Sequence, residues 1–451
     1  INLRNGSSPS SFGHGFLASG LVHVDLTCLA APKPCFIIGG AHDVIFDPES
    51  MRQEYQRARH IYELHGRADD IDLYIDEDAG HEFTVKMASL VVEKMNRYLL
   101  GVTRSACSLQ QSDIIDIPHE QLMSYPKNRV NFFTIYRDET IRLAAGRPRQ
   151  TTPETVRKVL GLSAANPLPR QVTTLPNPAI VWYHQLEKLD LLLPESIHVP
   201  GLVISRPSAP ERNPALLFID DQGKWSWMKQ GGPLTEAARL LQPEREANEP
   251  LVCSIDVAGW GEMTSDPTPY SLTPWVNIES HTAYLSNFSA KPIMGLRVRD
   301  ALAALAYLRT RKDVDPKRIM IGGRGAGAIV ALLTSSLDHE VTGVVCIDML
   351  SHYGALTTQH PTNWNPDMYI ANVLRHFDLP EVINSLTGQS VAVLNPRDAT
   401  KQPVSQEVAD KLYGTNRNKH VKVRCEFSED AIKQEFLLFA QSAAERKATA
   451  D

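Results

Sequence analysis

The chain has 451 residues, 43% of them apolar and 22% charged, the balance of a globular protein with two or three cores and not of a disordered chain. Lys and Arg number 46 against 52 Asp and Glu, a net charge of −6 with no basic block to neutralise a row of phosphates, so nucleic acid is not an expected partner. No apolar run reaches the roughly 18 residues of a membrane span, so no membrane partner is expected. Six cysteines without paired spacing or a nearby His cluster predict neither a metal site nor a disulfide framework, and no cofactor is expected.

In chain order, residues 33–100 read as strand, helix, strand, helix. The apolar run 34–40 ends in glycines and reads as a buried strand. After it, Met51, Tyr55, Ala58 and Tyr62 form one helical stripe, 71–75 forms a second strand, and Ala88, Val91, Val92, Met95, Tyr98 and Leu99 line the last helix. His23 and Asp25 are expected to stabilise a loop before the first strand. Residues 101–177 scatter seven prolines among polar residues and read as a connector, with a helix begun by Thr152-Pro153. From 178 to 451 the alternation resumes, with strands at 197–204, 215–219, 251–256, 318–321, 341–347, 391–394 and 421–425. Helices lie between them, such as 296–311 with Val298, Leu302, Leu305 and Leu308 inward. Strands alternating with helices predict an α/β fold with a mostly parallel, doubly wound sheet.

The end of the chain repeats its beginning. His23-Val24-Asp25-Leu26 is answered by His376-Phe377-Asp378-Leu379, Asp43 by Asp398, and Gly80-His81-Glu82-Phe83 by Lys433-Gln434-Glu435-Phe436. The intervals agree as well: 20 positions against 22, then 38 against 36. Matching words at matching spacing predict two copies of one fold.

In the first copy, Asp43 follows one parallel strand and His81 the next, so both emerge at the carboxyl edge of the sheet, where open α/β sheets bind ligands. An Asp against one ring nitrogen of a His fixes its tautomer and stabilises the imidazolium formed when the His takes a proton from a serine. The bland alternative makes Asp43 a turn or capping residue and His81 a surface residue; the pairing at this spacing favours catalytic roles for both. His42 reads as structural. The segment resembles the C-terminal half of an α/β-hydrolase, whose triad runs Ser, acid, His. Only 42 residues precede Asp43 and they contain no Gly-x-Ser-x-Gly elbow. The expectation is that a missing N-terminal half of this domain carries the nucleophile and the oxyanion hole.

In the second copy, Gly323-Arg324-Gly325-Ala326-Gly327 has the form of the elbow with Gly325 where serine would stand, and Gln434 occupies the His position. Asp220-Asp221 sits where the oxyanion loop would be and opposes a developing negative charge. Over nearly its full length the chain resembles the two-domain acetylxylan-esterase-like proteins of the α/β-hydrolase superfamily. That resemblance implies the C-terminal half of a hydrolase sheet at 1–100, and a second, nearly complete but catalytically degenerate hydrolase domain at 178–451. It also implies hydrolysis of a small-molecule or carbohydrate ester, with Asp43 and His81 as the acid and base. Trp225, Trp227 and Trp260 follow the third and fourth strands of the second domain and either stack on sugar or pack under loops. Competing readings are a prolyl-oligopeptidase-type peptidase, which would lack the second domain, and a non-catalytic scaffold of hydrolase folds.

Overall fold

The computed structural model describes residues 13–102, 109–113, 115, 117–122, 130–181, 184–205, 212–228, 250–264, 278–414, 419–425, 428, 431, 434–435 and 438. Two compact units divide the chain: Ile1–Arg129 with Asp266–Ala290, and Val130–Ser265 with Lys291–Asp451.

In the first unit β1 (Cys35–Gly40) lies parallel to β2 (Ile71–Asp76), with Gly40 opposite Asp76. The helix Pro48–Leu64 starts where it does because the Asp47 carboxylate accepts the Ser50 amide at 3.0 Å and Pro48 supplies a ready-made helical φ. Its inner face contributes Ala58 and Tyr62 to a small core with Val24 and Ile71, and the Tyr62 hydroxyl donates to Lys33 O at 2.7 Å. Helix Val85–Leu100 is capped by Thr84 and stops at Gly101, whose φ of 65° breaks the helical path. The segment expected as a loop at His23 is instead the helix His23–Leu29. The Asp25 carboxylate accepts the Val22 amide at 2.6 Å and closes its first turn, a local bond that apolar spacing does not reveal.

The second unit carries a mixed sheet: β3 (Gln171–Val181), β4 (His184–Leu192), β5 (His198–Ser205), β6 (Asn213–Asp220), β7 (Leu251–Ile255), β8 (Val314–Arg324), β9 (Gly343–Ile347), β10 (Ser390–Leu394) and β11 (Val421–Arg424). Its order is β11-β10-β9-β8-β6-β7-β5-β4-β3. Strands β6 to β11 pair in parallel, while β5 runs antiparallel to both β7 and β4, and β4 antiparallel to β3. The α/β class with a mostly parallel sheet expected from the sequence therefore stands, with an antiparallel margin added. Strands β6, β7 and β9 are buried along their whole length, which is why they read as mostly apolar runs. Helix Ala326–Leu337 is buried at every residue, and Ile293–Thr310 at most of them.

Residues 130–177, read as connector, lie within this unit. Helix Phe132–Gly146 is tied to it at its end by Arg147, which donates to Glu381 at 3.2 Å and to Leu374 O at 2.9 Å. Val156 and Leu160 enter its core, and the Leu160 carbonyl lies 2.0 Å from where a Cβ on Gly295 would stand, so only glycine fits there. Pro153 starts helix Pro153–Val159, and Pro176 sits on the outermost strand, beside the irregularity between Asn177 and Ile180. Those are the places where proline is tolerated, and their spread made structured chain read as linker.

Helix Ile293–Thr310 clamps the turn after β7. The Arg297 side chain has no exposure; it donates to Ala258 O at 2.9 Å and Asp367 O at 3.2 Å, pairs with the Asp367 carboxylate, and stacks 3.8 Å above Trp260. Asp300 accepts the Ala258 amide at 2.9 Å. Breaking a buried pair from one side leaves the other charge without a counterion. Arg297→Ala should therefore cost about 3–5 kcal/mol, read as a lower urea midpoint for the tryptophan fluorescence transition.

Candidate active site

The first unit brings Asp43 and His81 together. Gly40 ends β1 directly beneath the loop that follows β2: a Cβ there would lie 2.2 Å from Gly80 O and 2.4 Å from Ala79 O. That close approach lets the His42 amide donate to Ala79 O at 2.9 Å and the Ala41 amide to Asp76 O at 2.8 Å, so the two loops are fastened to each other. The His81 loop is pinned at its far end, where the Thr84 hydroxyl that caps the next helix donates to Asp76 Oδ2 at 2.7 Å.

Asp43 Oδ1 accepts the amides of Ile45 and Phe46 at 2.8 and 2.9 Å, and Oδ2 lies 3.0 Å from His81 Nδ1. The helix cap is Asp47, four residues on, so Asp43 is free to turn toward the imidazole. Its side chain is 6% exposed and that of His81 is 52% exposed. Burial alone would raise the Asp43 carboxyl; the Phe46 amide, the His81 ring and the Ile45 amide outweigh it and hold the group below the usual carboxylate range. An ionised carboxylate only accepts, so Nδ1 carries the hydrogen and Nε2 keeps its lone pair. Nε2 has no hydrogen-bond partner among the described residues. Phe46 lies against the ring with centroids 5.5 Å apart. This pair can take a proton at Nε2 and stabilise the resulting cation; among the described residues no hydroxyl or thiol is hydrogen-bonded to Nε2.

The second unit has a tight strand-turn-helix elbow between β8 and helix Ala326–Leu337. Gly325 has φ 60° and ψ −127°, a conformation that L side chains resist. A Cβ on Gly323 would stand 2.3 Å from Gly327 O, and one on Gly327 would stand 2.3 Å from Ile219 O, which accounts for the glycines at both flanks. The Ala326 amide, at the start of the helix, gives its hydrogen to Asp221 Oδ2 at 3.0 Å. A Cβ on Gly325 would stand 2.3 Å from that same oxygen. Asp220 is buried, and desolvation pushes its carboxyl up to about 6. Asp398 spends one oxygen on the Thr400 amide, the Thr400 hydroxyl and the Gln402 amide, at 2.8 to 2.9 Å. Gln434 is exposed. Trp227 is packed on Phe218, Trp260 is buried under Arg297, and Trp225 alone of the three is exposed. Cys253 and Cys346 are buried within their strands, as their apolar surroundings predict. The contact sequence reasoning missed is Asp221 to Ala326, 105 positions apart; the doubled acid before a Gly was its only trace.

No family model matches the chain. Over 177 residues, 38% of this chain, it is 31% identical to a protein of Bacillus subtilis (strain 168) named "Putative hydrolase YtaP", and it spans about half of that curated relative's length, 54%. Among solved structures, it is similar to a "putative acetyl xylan esterase" from Bacteroides fragilis NCTC 9343, at 14% identity over 69% of this chain and 82% of the other, with a TM-score of 0.47. It is similar also to the acetyl xylan esterase from Paenibacillus sp. R4, at 14% identity over 72% and 99%, with a TM-score of 0.43.

Two outcomes follow from this geometry. The Asp43 carboxyl is lower in the folded chain than unfolded, so its contact contributes in full above the ordinary carboxyl range, about pH 4, and is lost as pH falls through the lower folded value. A carboxyl-carbon NMR titration should place Asp43 below its unfolded value, and a midpoint at or above it would contradict the contact. Gly325→Ser should destabilise the second unit by about 1–3 kcal/mol, and adding Asp221→Gly should recover part of that loss in urea denaturation.

Proposed function

We propose that Asp43 and His81 are the acid and the general base of a serine carboxylic-ester hydrolase, acting with a serine from outside the described residues. The observation that carries this reading is the 3.0 Å contact between the buried Asp43 carboxylate and His81 Nδ1, with Nε2 left open at the carboxyl edge of a parallel strand pair. Nε2 takes the serine proton as the hydroxyl oxygen attacks the ester carbonyl, and Asp43 stabilises the imidazolium. The imidazolium then gives that proton to the departing alkoxide. Water repeats the sequence on the acyl-enzyme, returning the acid product and the free serine.

The serine belongs, on this reading, to a preceding half-domain whose strand pairs with β1, which is hydrogen-bonded on one side only among the described residues. The names of the relatives, a hydrolase and acetyl xylan esterases, agree with an ester substrate, and carbohydrate acetyl esters are the class we favour. The second unit serves as a non-catalytic, structural or binding partner: Gly325 offers no hydroxyl, Gln434 is no base near neutral pH, and the Asp221 carboxylate fills the donor an oxyanion would need.

The test is acetyl-ester turnover by the chain expressed with its own upstream coding sequence. His81→Ala should lower kcat by roughly a thousandfold or more and Asp43→Asn by nearly as much, because the groups act as a unit, while the unfolding free energy from urea stays within about 1 kcal/mol of wild type. Unchanged turnover in His81→Ala would overturn the assignment. No turnover and no labelling by a fluorophosphonate would favour the scaffold reading.

A further inference from the structure

The loop that carries His81 runs from Asp76, the last residue of β2, to Thr84, which caps helix Val85–Leu100. Its first half is well held: the Ala79 amide donates to Asp76 O at 3.3 Å, and the Ala79 carbonyl accepts the His42 amide at 2.9 Å. Its second half is held less. Among the described residues no backbone amide of His81, Glu82 or Phe83 donates a hydrogen bond, and all three residues are exposed. The loop's far end is therefore fixed from Thr84, across the gap between β2 and the helix.

Asp76 spans that gap. Its side chain is buried; Oδ2 accepts the Thr84 hydroxyl at 2.7 Å and Oδ1 the Asp78 amide at 3.3 Å. Thr84 Oγ1 in turn accepts the Met87 amide at 3.2 Å, so donation runs in one direction, from Met87 through Thr84 to Asp76. The Thr84 hydroxyl above all, with the Asp78 amide and Lys86 behind it, keeps the Asp76 carboxyl below the usual carboxylate range against the effect of burial. Hydrogen bonds to such an ionised acceptor are the strong ones. Lys86 Nζ lies 3.7 Å from Oδ1, but its side chain is exposed and solvent screens the pair.

We propose that Asp76 is a positioning residue for His81: its carboxylate clasps the two ends of the loop and sets where the imidazole stands against Asp43. The role rests on the reading of His81 as the base, but the clasp shows in the ring itself, without turnover. With the clasp closed, Nδ1 keeps its hydrogen for Asp43 at 3.0 Å and Nε2 stays open. With the far end released, the ring draws away and the hydrogen redistributes toward Nε2, because the tautomer follows the bond that the other nitrogen makes. A base displaced by about 1 Å loses up to about a hundredfold in rate.

The experiment uses the full chain with histidine labelled at both ring nitrogens for NMR, in alkaline buffer where imidazoles are neutral. The His81 tautomer is read from its ring-nitrogen shifts, assigned by their loss in His81→Gln. Asp76→Ala removes the clasp and leaves the Thr84 cap, Thr84→Val removes both, and Thr84→Ser keeps both. Expected is a fall of about fivefold or more in the ratio of Nδ1–H to Nε2–H in Asp76→Ala and in Thr84→Val. Thr84→Ser should hold the wild-type ratio, as should Lys86→Ala, which removes only the screened pair. In the upstream-extended protein Asp76→Ala should lower kcat by about tenfold or more with KM within about twofold. A wild-type ratio in Asp76→Ala overturns the clasp, as does one in Thr84→Val should Asp76→Ala not fold. A loss in Lys86→Ala as large as that in Asp76→Ala overturns it too, as does an unchanged kcat in an active upstream-extended Asp76→Ala. Failure of the esterase reading shows separately, as a tautomer that responds to the clasp in a protein that turns over no ester.

Discussion

At Gly40 the backbone of the His81 loop passes through the space where any other residue would carry its Cβ, and the placement of the acid beside the imidazole depends on that crossing. Because the Ala79 and Gly80 carbonyls sit on Gly40, the loops after β1 and β2 share hydrogen bonds instead of standing apart at the 4.8 Å or so of neighbouring strands. A carboxylate that rises from one loop then meets a ring that descends from the other. The Ile45 and Phe46 amides do double duty here, bending the chain toward helix Pro48–Leu64 and holding the carboxylate in its charged form. Charge, turn and ring orientation are thus set by one small assembly at the end of a short parallel pair.

The second unit uses the same physical device for another end. Its elbow is also a place where backbone crosses backbone, at Gly323, Gly327 and Ile219, and it also presents an amide with no partner inside the helix. In the first unit the charged acid serves an imidazole open to the outside. In the second, the acid serves the helix itself: Asp221 satisfies the Ala326 amide and lies against the Gly325 α-carbon. The Arg297 clamp, buried and paired with Asp367, has a similar inward purpose, fastening the turn after β7 to the long helix that covers the sheet.

Much of this was legible in the sequence where local pattern and tertiary burial agree. Strands β6, β7, β9 and β10 announce themselves because both faces are covered and the residues are mostly apolar. The meeting of Asp43 and His81 is legible because a parallel strand pair delivers both loops to one edge, so sequence spacing nearly determines it. The antiparallel strands β3 and β4 were not found: Glu187, Lys188 and Asp190 interrupt the apolar pattern, and Pro176 mimics a linker. Nor could sequence place Asp221 on Ala326 or Arg297 on Asp367, since a buried charge declares itself only through a partner 105 or 70 residues away. The helix at His23 was lost to a capping bond, which leaves a single Asp as its signature.

The contact between Asp221 and the elbow carries a consequence for how this sequence can change. A side chain gained at Gly325 meets the Asp221 oxygen at once, and Asp221 lost by itself leaves the Ala326 amide without its acceptor, at a cost of about 1 kcal/mol. Each single change lowers the stability of the fold. Positions 221 and 325 are therefore coupled: a side chain at 325 is accommodated with least cost when the residue at 221 changes with it.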